Sequence, residues 1–218
     1  MKIYLIPGLG ADRRMYLPQL QILSGAEVLE HLPVVKGETL SDYAKRFIPL
    51  IDTASPFVLI GTSLGGIISI ELAGILNPEK VILISSVKNR SEMPYFIRSM
   101  KYLMLHKMIP GNGFKRFNNL MAKRLGTRGD ATAAELIIQM INDTPPEFLK
   151  WAINAVIHWH PANQPLPDII HIHGTQDQLF PISKIKDAIA IPMGTHIMNM
   201  TMSREVNKVL LEVLSPLV

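Results

Sequence analysis

Three short stretches of the chain carry residue types that together could do nucleophilic acyl chemistry. The first is Gly61-Thr62-Ser63-Leu64-Gly65-Gly66, which sits between an apolar run and a helical pattern. A serine on a sharp strand-to-helix turn is strained and presents its Oγ above the strand ends. Small residues are needed two before and two after it, because the turn brings backbones together. The helix that starts behind the serine favours negative charge developing near its N-terminus. G-x-S-x-G is a weak pattern by itself; its position at this junction, and the two partner motifs that follow, give it weight.

The partners are an acid and a base. His173-Gly174-Thr175-Gln176-Asp177 follows a later apolar run, and Pro181 opens a short helix beyond it. An acid there sits at the C-terminal edge of a sheet, where it can accept a hydrogen bond from an imidazole Nδ1–H and fix the tautomer. Asp168 and Asp187 are the alternatives, but Asp168 opens a strand at the wrong edge and Asp187 is expected on a helix. Gly194-Thr195-His196 lies just past the last strand, within reach of both serine and acid. The chain order is Ser–Asp–His, which is the order of one of the three well-known serine triads.

The remaining histidines have other expected places. His173 supports the acid loop, His171 shares its strand face, His31 ends a strand, and His106 lies among helices. His158 and His160 flank Trp159, but no third ligand is local, so no metal site is expected. Pro7-Gly8-Leu9-Gly10-Ala11-Asp12 is a glycine-rich turn whose free backbone N–H groups could receive an oxyanion. The Leu64 N–H, directly after the serine, would be the second donor. The turn lacks the spacing of the known phosphate-binding glycine loops.

These motifs need strands and helices to hold them. Short β-branched runs alternate with helical patterns, as in a parallel sheet of βαβ units. Strands are expected at Lys2–Ile6, Glu27–His31, Phe57–Ile60, Lys80–Ile84, Asp168–Ile172 and Ala188–Ile191. Several of these runs are apolar without alternation, which fits strands buried on both faces. Helices are expected near Tyr16–Leu23, Leu40–Ile51, Leu64–Leu76 and Thr201–Leu214.

From about Val87 to His160 there is only helical pattern: Pro94–His106, Phe114–Leu125, Ala131–Ile141 and Pro145–His158. Thr144-Pro145-Pro146-Glu147 reads as a capping box for the last of these. The expected fold is therefore α/β, a doubly wound and mostly parallel sheet of about six strands with an inserted helical segment. The core would comprise residues 1–86 and 161–218, and the helical insertion residues 87–160.

The 218 residues suit one domain, and with 48% apolar and 18% charged residues the composition is globular. Without cysteine, disulfides and thiolate chemistry are excluded. The N-terminal apolar run ends at Pro7, too short for a signal peptide or a membrane span, so a cytoplasmic protein is expected. Net charge is +4, but residues 88–130 hold ten Lys/Arg against two acidic residues, so that segment carries +8 and the rest −4. A solvated helical face explains this most simply; attraction of an anionic substrate is the sharper alternative. No nucleic-acid recognition motif accompanies the charge. Met93, Tyr95, Phe96, Met100, Tyr102 and Met104 could line an apolar pocket, but their helical spacing favours packing against the core.

On these motifs the chain resembles the α/β-hydrolase superfamily over residues 2–84 and 168–214, with 87–160 in the place of its helical cap. The stretch from Gly8 to Leu20 is similar to the oxyanion loop and first helix of small esterase-like members. The resemblance implies Ser63 as nucleophile, Asp177 as acid, His196 as base, and the Leu9 and Leu64 N–H groups as the oxyanion hole. It departs in having Pro7 where a histidine is usual, and in lacking the antiparallel strands that usually come first.

The reading is a serine hydrolase that acts on an ester or thioester, an anionic one included, through an acyl-enzyme and without a cofactor. Two alternatives stay open: a cofactor-free lyase using the same residues, and a ligand-binding protein without catalysis. The motifs are common to all three, and oligomeric state leaves no mark in them.

Overall fold

The computed structural model describes residues 1–103, 126, 130–161 and 167–215. Six strands form one sheet: β1 (Lys2–Ile6), β2 (Glu27–Val28), β3 (Phe57–Thr62), β4 (Lys80–Ile84), β5 (Ile169–Gly174) and β6 (Ala188–Ile191). Their order is β2-β1-β3-β4-β5-β6 and every neighbouring pair is parallel. All strand C-termini therefore lie at one edge, and the loops that follow β1, β3, β5 and β6 meet there.

Helices cover both faces. Along β1, Tyr4 and Ile6 belong to one buried cluster while Ile3 and Leu5 belong to another, as the two-residue period of a strand requires. The first face packs on α2 (Leu40–Lys45) and α3 (Leu64–Leu76) through Tyr43, Phe47, Ile67 and Ile70. The second packs on Tyr16 and Leu23, beside α1 (Leu17–Leu20), and on the C-terminal helices.

Between β4 and β5 the described residues form helices and no strand: α4 (Tyr95–Leu103), α5 (Ala131–Asp143) and α6 (Pro146–His158). After β6 come α7 (Met198–Thr201) and α8 (Ser203–Leu214), whose Val206, Leu210 and Leu214 reach the core. Ile137, Met140, Ile141 and Leu149 cluster with Ala11, Met15 and Ile197, which seats α5 and α6 over the C-terminal edge of the sheet. The helix expected over Phe114–Leu125 lies outside the described residues, as do His106 and most of the basic run.

Several expected elements differ. β2 stops at Val28, so His31 lies beyond the strand rather than at its end. Instead of running to Ile51, α2 ends at Lys45, and a 3-10 turn spans Ile48–Leu50. Pro49 explains this, since its ring lacks an N–H and would clash with the carbonyl four residues earlier. The expected Tyr16–Leu23 helix is a 3-10 turn, Arg13–Tyr16, followed by the single turn of α1. The Thr144 capping box does not form: its Oγ1 donates to the Met140 carbonyl, and Pro145 precedes α6 with no side-chain cap. Asp187 is on no helix; it is a left-handed residue, φ 57°, just before β6. Tyr95 and Phe96 pack nowhere in the core, being 75% and 47% exposed, whereas Met93 is buried.

Candidate active site

The turn after β3 is built by close backbone approach. Ser63 has φ 54° and ψ −116°, a region that L-residues occupy only when their surroundings hold them there. Its N–H donates to the Ile84 carbonyl at 3.0 Å, and the Ser63 carbonyl accepts the Ser86 hydroxyl at 2.7 Å. Room exists for this only because of glycine. A Cβ on Gly65 would lie 2.0 Å from the Ile6 carbonyl oxygen, and one on Gly61 would lie 2.3 Å from the Gly65 oxygen.

Ser63, His196 and Asp177 come together from three loops at the same sheet edge. Ser63 Oγ is 2.9 Å from His196 Nε2, and His196 Nδ1 is 2.8 Å from Asp177 Oδ2. A carboxylate can only accept, so Nδ1 carries the proton and Nε2 presents a lone pair to the serine hydroxyl. Ser63 is partly open to solvent, whereas Asp177 and His196 are buried. Burial alone would raise the pKa of Asp177. Interaction with His196, hydrogen bonds from His173 and His196, and the Phe180 N–H outweigh it and hold the carboxyl well below the usual range.

The acid loop is firmly tied. Asp177 Oδ1 accepts the N–H groups of Leu179 and Phe180, each at 2.8 Å. The Gln176 N–H donates to the Gly194 carbonyl at 2.8 Å, joining the acid loop to the histidine loop. Gly174 and Gly194 touch so closely that a Cβ on Gly174 would meet the Gly194 oxygen at 2.2 Å. His173 Nε2–H donates to the Phe180 carbonyl at 2.7 Å, which bears out its expected support of the loop. His171 Nε2–H can then donate to His173 Nδ1, 3.2 Å away. Burial above all lowers the His171 pKa to about 3, so it is neutral. Asp168 is mostly exposed and lies 3.5 Å from Lys80 at the opposite sheet edge.

Across from the serine, Gly8 lies against it: a Cβ there would be 3.4 Å from Ser63 Cβ. Gly10, at φ 70°, turns the loop back, and the Ala11 N–H closes the turn on the Gly8 carbonyl at 3.1 Å. Neither Leu9 nor Leu64 donates its N–H to any acceptor among the described residues. Arg14 bridges Asp12 at the end of this loop to Asp143 at the end of α5, the latter at 2.7 Å. Thr195, next to His196, donates to the Gly126 carbonyl at 2.6 Å, a second tie to the segment between β4 and β5.

Among the described residues no group of three or more His, Asp or Glu could hold a metal. His158 and His160 each engage a local backbone carbonyl through Nδ1. No helix among these residues is long and apolar enough to cross a membrane. Sequence reasoning missed Ser86 and His31, which support the two turns facing the site. Only the adjacency of β1 and β2 could have brought His31 to notice, because both chains leave the sheet at the same edge.

No family model and no curated protein sequence matches the chain. Solved structures do. A thermophilic esterase from Thermogutta terrifontis superposes with TM-score 0.77 at 20% identity, covering 99% of this chain and 90% of that one. The enol-lactonase from Burkholderia xenovorans LB400 gives 0.77 at 18%, covering 98% and 91%. A bromoperoxidase from Bacillus anthracis gives 0.76 at 18%, again covering 98% and 91%. The chain has the α/β-hydrolase fold. Neighbours with such different names show that the fold does not choose the reaction.

Proposed function

We propose that the protein is a serine hydrolase that cleaves a carboxylic ester or thioester through an acyl-enzyme. One observation carries this: a strained Ser63 whose Oγ is 2.9 Å from His196 Nε2, with Asp177 2.8 Å behind the imidazole. In this reading Ser63 attacks the carbonyl carbon while His196 takes its proton. Asp177 stays ionised, fixes the tautomer and stabilises the imidazolium. The tetrahedral oxyanion sits between the N–H groups of Leu9 and Leu64, at the N-terminus of α3. His196 then returns the proton to the leaving alkoxide or thiolate. Water, deprotonated by the same base, releases the acid. No step calls for a cofactor.

The helices between β4 and β5 would act as a cap over this site, and anionic esters and thioesters would join the substrate class if the +8 charge of residues 88–130 faces its mouth in place of forming a solvated face. The test is covalent labelling by a fluorophosphonate together with turnover of p-nitrophenyl esters. Ser63→Ala should abolish labelling and lower turnover by about 10³-fold or more with the fold retained. Wild-type protein that neither labels nor turns over any ester would refute the reading, and a lyase or ligand-binding role would take its place.

A further inference from the structure

We infer that His31 is a positioning residue for the oxyanion hole, holding and polarising the peptide whose N–H is that of Leu9. The inference rests on the hydrolase reading above and concerns a residue which that reading leaves unused.

His31 Nε2 is 3.0 Å from the Gly8 carbonyl oxygen. A carbonyl can only accept, so Nε2 carries the proton and donates. The Gly8 carbonyl and the Leu9 N–H belong to one peptide unit, planar and conjugated. Drawing electron density towards the oxygen leaves the N–H more positive and a stronger donor, the polarisation that runs along any chain of hydrogen bonds. The same oxygen also accepts the Ala11 N–H at 3.1 Å. Two donors on one oxygen therefore fix the plane of the peptide, and with it the direction of the Leu9 N–H. Gly8 lies against Ser63, and the Leu9 N–H has no other acceptor among the described residues.

The imidazole is itself held. Its ring lies 4.6 Å from the Phe148 ring of α6, and Tyr43 Oη stands 3.4 Å from Nδ1. Burial lowers the His31 pKa to about 4, against the hydrogen bonds with the Gly8 and Pro7 carbonyls, so the ring is a neutral donor at neutral pH. A donor serving an oxyanion matters most in the transition state, where the negative charge is greatest. Loss of His31 should therefore act on kcat and spare KM. Both acylation and deacylation pass through an oxyanion, so either rate-limiting step reports it.

The experiment compares His31→Phe, which keeps an aromatic ring against Phe148 but cannot donate, with His31→Gln, whose Nε2 can reach the same carbonyl. With p-nitrophenyl butyrate, His31→Phe should lower kcat about tenfold with KM within about twofold, a fraction of the cost of deleting an oxyanion donor outright. His31→Gln should recover most of that loss. Independently of turnover, the Leu9 amide resonances in a 15N–1H spectrum should move upfield in His31→Phe and return towards wild type in His31→Gln. If His31→Phe keeps kcat within about twofold, or His31→Gln is as slow as His31→Phe while equally folded by thermal melt, the inference is overturned and the hydrolase reading survives. An unmoved Leu9 resonance overturns it whether or not the enzyme turns over. Failure of the wild type to cleave esters or label at Ser63 is the separate failure of the hydrolase reading.

Discussion

Replacing Asp177 by Asn leaves shape nearly unchanged and inverts one hydrogen bond. The carboxylate accepts four contacts: Leu179 and Phe180 N–H on Oδ1 at 2.8 Å each, and on Oδ2 His196 Nδ1 at 2.8 Å, with His173 Nε2 3.4 Å away. An asparagine oxygen can keep the two backbone donors, which places its amide NH2 opposite His196. Two donors cannot face each other, so His196 must take the other tautomer, accepting at Nδ1 and carrying its proton on Nε2. That proton then points at Ser63 Oγ, 2.9 Å away, and the base is lost. A wrong tautomer in a serine triad costs about 10⁴-fold in kcat, about 5.5 kcal/mol of barrier.

The same substitution has a second signature, in acid stability. Asp177 is held below its ordinary value of 3.8, so its ionised form stabilises the folded state above that pH. The contribution is lost as pH falls through the lower, folded value. Wild type should therefore lose stability on acidification below about pH 4 more steeply than Asp177→Asn does. The assays are steady-state kinetics on a p-nitrophenyl ester and urea melts across the acid range. Retention of more than about a tenth of wild-type kcat would refute the orienting role, and so would finding that Asp168→Asn or Asp187→Asn is the damaging change.

Gly65→Ala should be severe, because its Cβ would fall 2.0 Å from the Ile6 carbonyl oxygen and no side chain can move aside. A loss above about 3 kcal/mol in urea melts is expected, and near-wild-type stability would contradict the packing described. Arg90→Gln should act on stability and not on substrate charge, because Arg90 Nη1 donates to the Ile157 and Trp159 carbonyls at 2.7 and 2.9 Å, at the C-terminus of α6. A loss of about 1.5–3 kcal/mol with kcat/KM unchanged for anionic and neutral esters alike is the expected result.

The pieces of the site legible in the sequence are those that sit just past strand ends. Ser63, Asp177 and His196 could be read because each follows a strongly apolar run, and parallel pairing sends every such end to one edge. The glycines at 61 and 65 are legible with Ser63, since a turn packed between backbones leaves no room for Cβ, whereas the close approach of Gly174 and Gly194 shows only in the fold. What could not be read depends on tertiary competition. Nothing local shows that Thr144 spends its hydroxyl on the Met140 carbonyl in place of a cap, or that β2 ends after two residues. His31 is the telling case. In sequence it is a lone histidine twenty-three positions from Gly8, followed by no motif. Its meaning comes from β2 lying beside β1, from Phe148 arriving on a helix more than one hundred residues later, and from the Gly8 carbonyl facing it. Strand order is a global property. A residue whose role is to touch a neighbouring loop's backbone carries no local signature, even where the residues it serves carry a strong one.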